Sequence, residues 1–179
     1  MIDGSVSVNQ PTELSMQKAK IFDRKFLDEL SLKALSSARK RQHWNVHVDC
    51  SDSCQRLFNA IEPESYLRPH YHDSSQGCEL LVGIRGYLKV VVFDSHGNVT
   101  DFVDLIPGLN KSIHSAAIEI PVYCYHTVIS YSPGSILLEV KNGPFLPSSA
   151  KNFAHWAPEE GGDAGSDYLK DLIVRINSF

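Results

Sequence analysis

An all-β sandwich or closed barrel carrying a helix at each end is the fold this sequence predicts, and three observations point to it. Seven short runs rich in β-branched and aromatic residues follow one another: QRLFNAIE, CELLVGI, YLKVVVFD, VTDFVDLI, AAIEIP, HTVISYS and SILLEVK. The stretches SHGN, PGLN and SPG punctuate them with turn-forming residues. Helical periodicity is confined to the two ends of the chain, so the alternating strand and helix pattern of a βαβ fold is absent.

Taken in order, residues 1–19 are polar, with Gly, Ser, Asn and Pro and no periodicity, and read as a tail with little order of its own. In residues 20–42, Ile21, Phe22, Phe26, Leu27, Leu30 and Leu35 recur near the helical period. They predict an amphipathic helix that ends near Arg39 and lays its apolar stripe on a sheet. Arg39, Lys40 and Arg41 fall where cations favour a helix C-terminus. Residues 43–160 hold the strands. The clearest hairpin joins YLKVVVFD to VTDFVDLI through Ser95, His96, Gly97 and Asn98, with Gly and Asn suited to positive φ. In residues 161–179, Ser166 or Asp163 caps a last helix with Tyr168, Leu169, Leu172, Ile173 and Ile176 on one side. HxH occurs once, which argues for one barrel and not two.

Composition narrows the function classes. The 179 residues suit one domain, and 42% hydrophobic with 21% charged residues is an ordinary globular mixture. Seventeen basic against twenty-one acidic residues leave a net charge of -4, which argues against tracking a nucleic-acid backbone. No apolar run approaches the ~20 residues of a membrane span, and the first residues lack a basic, signal-like start, so the expected location is cytoplasmic. There Cys50, Cys54, Cys78 and Cys124 would stay reduced; they read as buried or incidental thiols, with Cys124 two residues from His126.

The chemistry lies in histidines and a carboxylate. His70 and His72 are two apart, so on a strand both imidazoles leave one face and can reach one ion, although an exposed hairpin carries such a pair equally well. Glu79 opens an apolar strand run, where a buried charge needs a cation nearby. His126 opens another strand, five residues after Pro121.

PHYH, six residues, Glu79, six residues and Gly86, followed later by IPVYCYH, resemble the two motifs of the cupin superfamily. The resemblance implies a single cupin (double-stranded β-helix, jelly-roll) barrel. At its mouth His70, His72, Glu79 and His126 would hold one divalent transition metal: zinc, iron, manganese or nickel. Two departures are the longer stretch from His72 to Glu79 and Tyr123 where cupins usually place Gly. Beyond the motifs, RKRQHWNVH, QRLFNAIEPESYLRPHYH, LLEVKNGPF and FAHWAPEEG resemble the WbuC-type cupin-fold metalloproteins found among bacterial O-antigen and polysaccharide genes.

Further candidates for ligand contact surround that set. Asn45 and His47 share a strand face and either reach a ligand or satisfy backbone groups. Arg56 and Arg68 either bind a carboxylate or phosphate or form surface ion pairs. Glu139 is either a general base or the partner of Lys141 on its own face. Tyr66, Phe153 and Trp156 are core, lid or ligand wall. The expected partner is a small, sugar-derived molecule. A metalloenzyme with isomerase-like chemistry competes with a non-catalytic metal and ligand binder and with an iron-dependent dioxygenase. A homodimer across an edge strand is a compatible assembly.

Overall fold

The structure, a computed structural model, describes residues 19–108, 115–146 and 151–179. The expected tail up to residue 18, the end of the PGLN turn and His114 lie outside the described residues. Two antiparallel five-stranded sheets form the barrel. The first runs, in spatial order, β1 (Arg41–Asn45), β2 (Cys54–Ile61), β9 (Ser135–Asn142), β4 (Glu79–Arg85) and β7 (Ala117–Ile120). The second runs β10 (Asn152–Phe153), β3 (His70–Tyr71), β8 (Tyr125–Ser130), β5 (Leu88–Phe93) and β6 (Val99–Leu105). From β2 to β9 the chain changes sheet at every step except the β5–β6 hairpin, and this is jelly-roll topology. β1 and β10 each lengthen one sheet at an edge.

Side-chain alternation on these strands sorts the sequence into three cores. Inward residues Ile61, Leu81, Leu88, Val90, Leu105, Ile120, Val128 and Leu137 meet between the sheets. Outward residues of the first sheet, Phe58, Ala60 and Ile136, pack under Leu30 and Ala34 of helix α1 (Arg24–Ser36). Outward residues of the second, Val91, Phe93 and Ile129, pack under Leu169, Leu172 and Ile176 of helix α2 (Asp163–Ile176). Strands buried on both faces read as nearly continuous apolar runs, which is why LKVVVF shows no polar alternation.

Both helices start within the expected segments, and the second does not start on either expected cap, Ser166 or Asp163. Asp23 caps α1 by accepting from the Phe26 N–H at 2.9 Å, and the helix stops at Ser36. Of the basic cluster only Lys40 serves the helix end, donating to the Leu35 carbonyl at 2.9 Å; Arg41 already belongs to β1. Arg85 fastens α1 to the barrel, with Nη1 at 2.6 Å from Asp28 and Nε donating to the Gly134 carbonyl. Gly162 caps α2 without a side-chain bond, and Asp163 stands in the first turn. Among the described residues no helix is long and apolar enough to cross a membrane.

In the β5–β6 turn only Gly97 takes positive φ, at 89°, while Asp94 receives the Asn98 and His96 N–H groups. Gly86, between β4 and β5, has φ 78°, and a Cβ there would stand 2.8 Å from the Ser135 Cα. That double constraint explains the glycine of the first motif. Gly86→Ala is expected to lower unfolding stability by at least the ~1–3 kcal/mol typical of a strained non-glycine backbone, read as a shift of the urea midpoint with unchanged m-value.

Candidate functional site

The interior of the barrel is apolar at one end and polar at the other, and the change happens along single strands. Inward positions of β9 pass from Leu137 to Glu139 and Lys141; those of β2 pass from Ile61 through Asn59 and Leu57 to Gln55. β4 begins with inward Glu79 two residues before core Leu81, and β8 carries inward His126 two residues before core Val128. The candidate site is this polar end.

The second sheet supplies the imidazoles. His70 on β3 is the direct cross-strand partner of His126 on β8, and His72 follows just beyond β3 on the same face. The three are 2–4% exposed, and their ligand atoms all lie within 4.8 Å of one another, close enough to hold one metal ion. The first sheet supplies Glu79, whose Oε2 is 3.1 Å from His126 Nε2 and 3.3 Å from His72 Nε2. Donors ~2.1 Å from one ion stand roughly 3.0–3.4 Å apart at octahedral to tetrahedral angles, so these separations suit a shared metal.

Ring orientation fits the same purpose. His70 Nδ1 lies 3.0 Å from the Arg68 carbonyl and His126 Nδ1 3.0 Å from the Cys124 carbonyl. A carbonyl only accepts, so each Nδ1 carries the proton and each Nε2 is turned inward as a lone pair. His126 Nε2 therefore faces a carboxylate oxygen, which also only accepts. A cation or a second ring proton has to lie between them. Burial drives the His70 pKa well below its ordinary value, with the charges of Lys151 and His126 adding to the fall, which keeps that imidazole neutral. For Glu79, burial alone pushes upward, but the contacts with His126 and His72 and the charge of Lys141 outweigh it and hold the carboxyl well below the usual range.

Two local features differ from a shorter motif. The longer stretch after His72 closes on itself: Asp73 accepts from the Ser75 N–H at 2.9 Å and its carbonyl from the Gln76 N–H at 3.1 Å, with Gly77 at φ 67°. It buries Gln76, whose amide has no hydrogen-bond partner among the described residues. Tyr123 adopts φ 61°, the left-handed conformation glycine favours, and its N–H donates to the His72 carbonyl at 2.7 Å. The turn before His126 is thus tied directly to the HxH strand.

A pocket of about 480 Å³ opens between β1, β2 and β9; His70, His72, Glu79 and His126 do not line it, and Lys141 is the lining residue that reaches Glu79. Asn45, His47 and Glu139 line it, with Arg39, His43 and Lys151. His47 Nδ1 meets both the carbonyl (2.8 Å) and the N–H (3.0 Å) of Arg56, so it ties the residues after β1 to β2. Lys141 Nζ stands 2.5 Å from Glu139 Oε1 and 3.8 Å from Glu79 Oε1, linking the pocket to the carboxylate among the histidines. Burial would lower the Lys141 pKa, but Glu139 and Glu79 more than offset it; burial, and then Glu79, raise that of Glu139.

The other sequence candidates lie elsewhere. Arg56 pairs with Asp52 at 2.8 Å, and Arg68 donates to the Ala154 carbonyl and lies over the Phe153 ring. Tyr66 donates to the Pro158 carbonyl and packs against Tyr168 under α2, where Trp156 packs on Phe93 and Tyr125. Cys50, Cys54 and Cys78 are exposed and not buried thiols, because they fall at strand ends and loops; Cys124 packs against the inter-sheet core. Sequence reasoning missed Arg39, His43 and Lys151 as pocket residues. Alternation through Arg41, His43, Asn45 and His47 was the available signal for His43; Lys151 had none.

A family described as Domain of unknown function (DUF6016) matches residues 22–105. No curated protein matches the chain. Among solved structures, KdgF from Halomonas sp. is 15% identical, over 60% of this chain and 83% of that one, with a TM-score of 0.46. A protein from Shewanella oneidensis is 10% identical, over 62% and 72%, with a TM-score of 0.49. Oxalate decarboxylase from Bacillus subtilis is 18% identical, over 61% of this chain and 26% of that one, with a TM-score of 0.45. At such identities and scores these likenesses say nothing about chemistry. The strand order by itself makes the chain a jelly-roll barrel.

The buried Glu139–Lys141 pair can be tested alone. Lys141→Met leaves buried Glu79 and partly buried Glu139 without the ammonium and is expected to lower stability by up to about 3–5 kcal/mol, the loss typical when one member of a fully buried pair is removed. Adding Glu139→Gln should return most of it in urea unfolding, and the coupling follows from the double-mutant cycle.

Proposed function

We propose that this chain is a small metalloenzyme. In this reading His70, His72, Glu79 and His126 hold one divalent transition metal, and the adjoining pocket receives a sugar or related polar metabolite for an isomerase-like reaction. The observation that carries the metal is the pair of acceptors facing His126: a backbone carbonyl at Nδ1 and the Glu79 carboxylate at Nε2. Three imidazoles and one carboxylate suit zinc, iron, manganese or nickel. When bound, the metal supplies Lewis acidity toward a substrate carbonyl or hydroxyl. The preference for sugars rests on the WbuC-type sequence resemblance.

The chain's own residues divide the remaining work. Glu139, its pKa raised by burial and by Glu79, is the group suited to move a proton within the pocket, with Lys141 holding its carboxylate form in place. Asn45 and His43 face the same space from β1 and can orient hydroxyl groups. The pocket volume of about 480 Å³ falls within the range of small-metabolite sites.

One observation favours a second reading. Glu139 is engaged by Lys141 at 2.5 Å, so a non-catalytic barrel that binds metal and a small molecule has its own support. A cytoplasmic homodimer fits either reading.

Elemental analysis by mass spectrometry of the purified wild type, His70→Ala and His126→Ala tests the metal. About one equivalent is expected in the wild type. Each substitution should weaken binding by more than the ~10–100-fold that follows loss of an outer partner of a metal ligand. Wild-type protein that stays metal-free after reconstitution sinks the proposal. For the reaction, Glu139→Gln should keep the metal and lose turnover of sugar phosphates or nucleotide sugars. Retained ligand binding with no metal-dependent conversion would establish the non-catalytic reading instead.

A further inference from the structure

Building on the proposed metal site, we infer that the pocket beside it is an anion site, and that its ligand is a small metabolite carrying a carboxylate or phosphate anchored by Lys151. The charged groups around the pocket are weighted toward cations: Arg39, Arg41, Lys141 and Lys151 stand against Glu139, while burial and the charges of Arg39 and Lys151 push the His43 imidazole toward its neutral form. Two of these cations are already matched within the protein, Lys141 by Glu139 and Arg41 by Glu160. Arg39 and Lys151 have no side-chain hydrogen bond or ion pair with any described residue.

Lys151 is the more informative of the two. It follows the barrel's last long strand and immediately precedes β10, which pairs with the HxH strand through Phe153 and His70. It lines the pocket together with Arg39, His43 and Glu139, and its charge is felt by Glu139, Glu79, His70 and His43. It keeps exposed surface because it lines an open pocket, yet protein surrounds it closely enough for burial to lower its pKa, against the pull of Glu139 and Glu79. A partly desolvated ammonium that forms no ion pair with any described residue, Glu139 and Glu79 acting on it only at longer range, is a preformed oxyanion anchor.

Position gives the ligand its polarity. An anionic group on Lys151, with Arg39 in the same lining, leaves the rest of a small molecule toward Glu139 and Lys141, the residue that reaches Glu79. A neutral polyol in the same place would make no ion pair with Arg39 or Lys151, neither of which has one with any described residue. The inference therefore narrows the proposed polar metabolite to an acidic one, a sugar acid or sugar phosphate in chemical class.

The test uses the full chain, metal-loaded and metal-stripped, titrated calorimetrically with inorganic phosphate and with malonate at an ionic strength held constant with sodium chloride. Saturable binding of at least one probe is expected in both forms. Lys151→Met should weaken it by about 10-fold or more, the loss of one charge-assisted contact, while Lys151→Arg stays within roughly 3-fold of wild type. Lys151→Gln serves as a second neutral variant, and circular dichroism with metal content confirms that each variant is folded. Absence of saturable binding, or binding unchanged in both neutral variants, overturns the inference even when the metal loads normally. Anion binding that depends on Lys151 in a chain that takes up no metal upholds it and removes only the metal reading.

Discussion

A carboxylate buried among three imidazoles and an ammonium is the constraint on which the polar end of this barrel depends. Glu79 is 4% exposed at the first position of β4, and an uncompensated charge there would cost several kcal/mol. Its compensation comes from both sheets: His72 and His126 from the second, Lys141 from the first. None of these partners is near Glu79 in the chain except His72. The site can form only once the two sheets have closed, so site assembly and barrel closure are one event.

The apolar end makes that closure affordable. The inter-sheet core lies two residues along the same strands from the polar groups, so Leu81, Val128 and Leu137 fix the depth at which Glu79, His126 and Glu139 stand. Helices α1 and α2 cover the outer faces of the two sheets and bury their remaining apolar residues. Rigid strands and not loops therefore carry His70, His126, Glu79, Glu139 and Lys141, which suits a site whose chemistry depends on fixed separations. The two turns that lead into it are held by backbone bonds, Tyr123 to His72 and Gln76 to Asp73.

Charge is graded across the polar end. Around Glu79 the carboxylate is stabilised; at Glu139 the same burial, with Glu79 as a like-charged neighbour, makes ionisation harder. Lys141 sits between the two carboxylates and couples them. Two neighbouring carboxyl groups pushed in opposite directions by their surroundings is an arrangement suited to one structural or metal-binding role and one proton-transfer role.

Strand content, the hairpin at Gly97 and the apolar faces of both helices were legible in the sequence because periodicity and turn chemistry are local properties. His70, His72, Glu79 and His126 stood out for the same reason, as polar residues at the edges of strand runs in motif spacing. Short strands such as β3 and β10, with two residues each, carry no periodicity and emerged only from pairing. The sequence alone could not separate the two fates open to Arg56 and Arg68, nor join Lys151, Arg39 and His43 to one pocket. Those outcomes rest on which residues the β2–β9 and β3–β8 registers bring face to face. Local pattern determined which segments are strands and which side chains can do chemistry; long-range pairing decided which of them meet, because the groups that compensate a buried charge can come from anywhere in the chain.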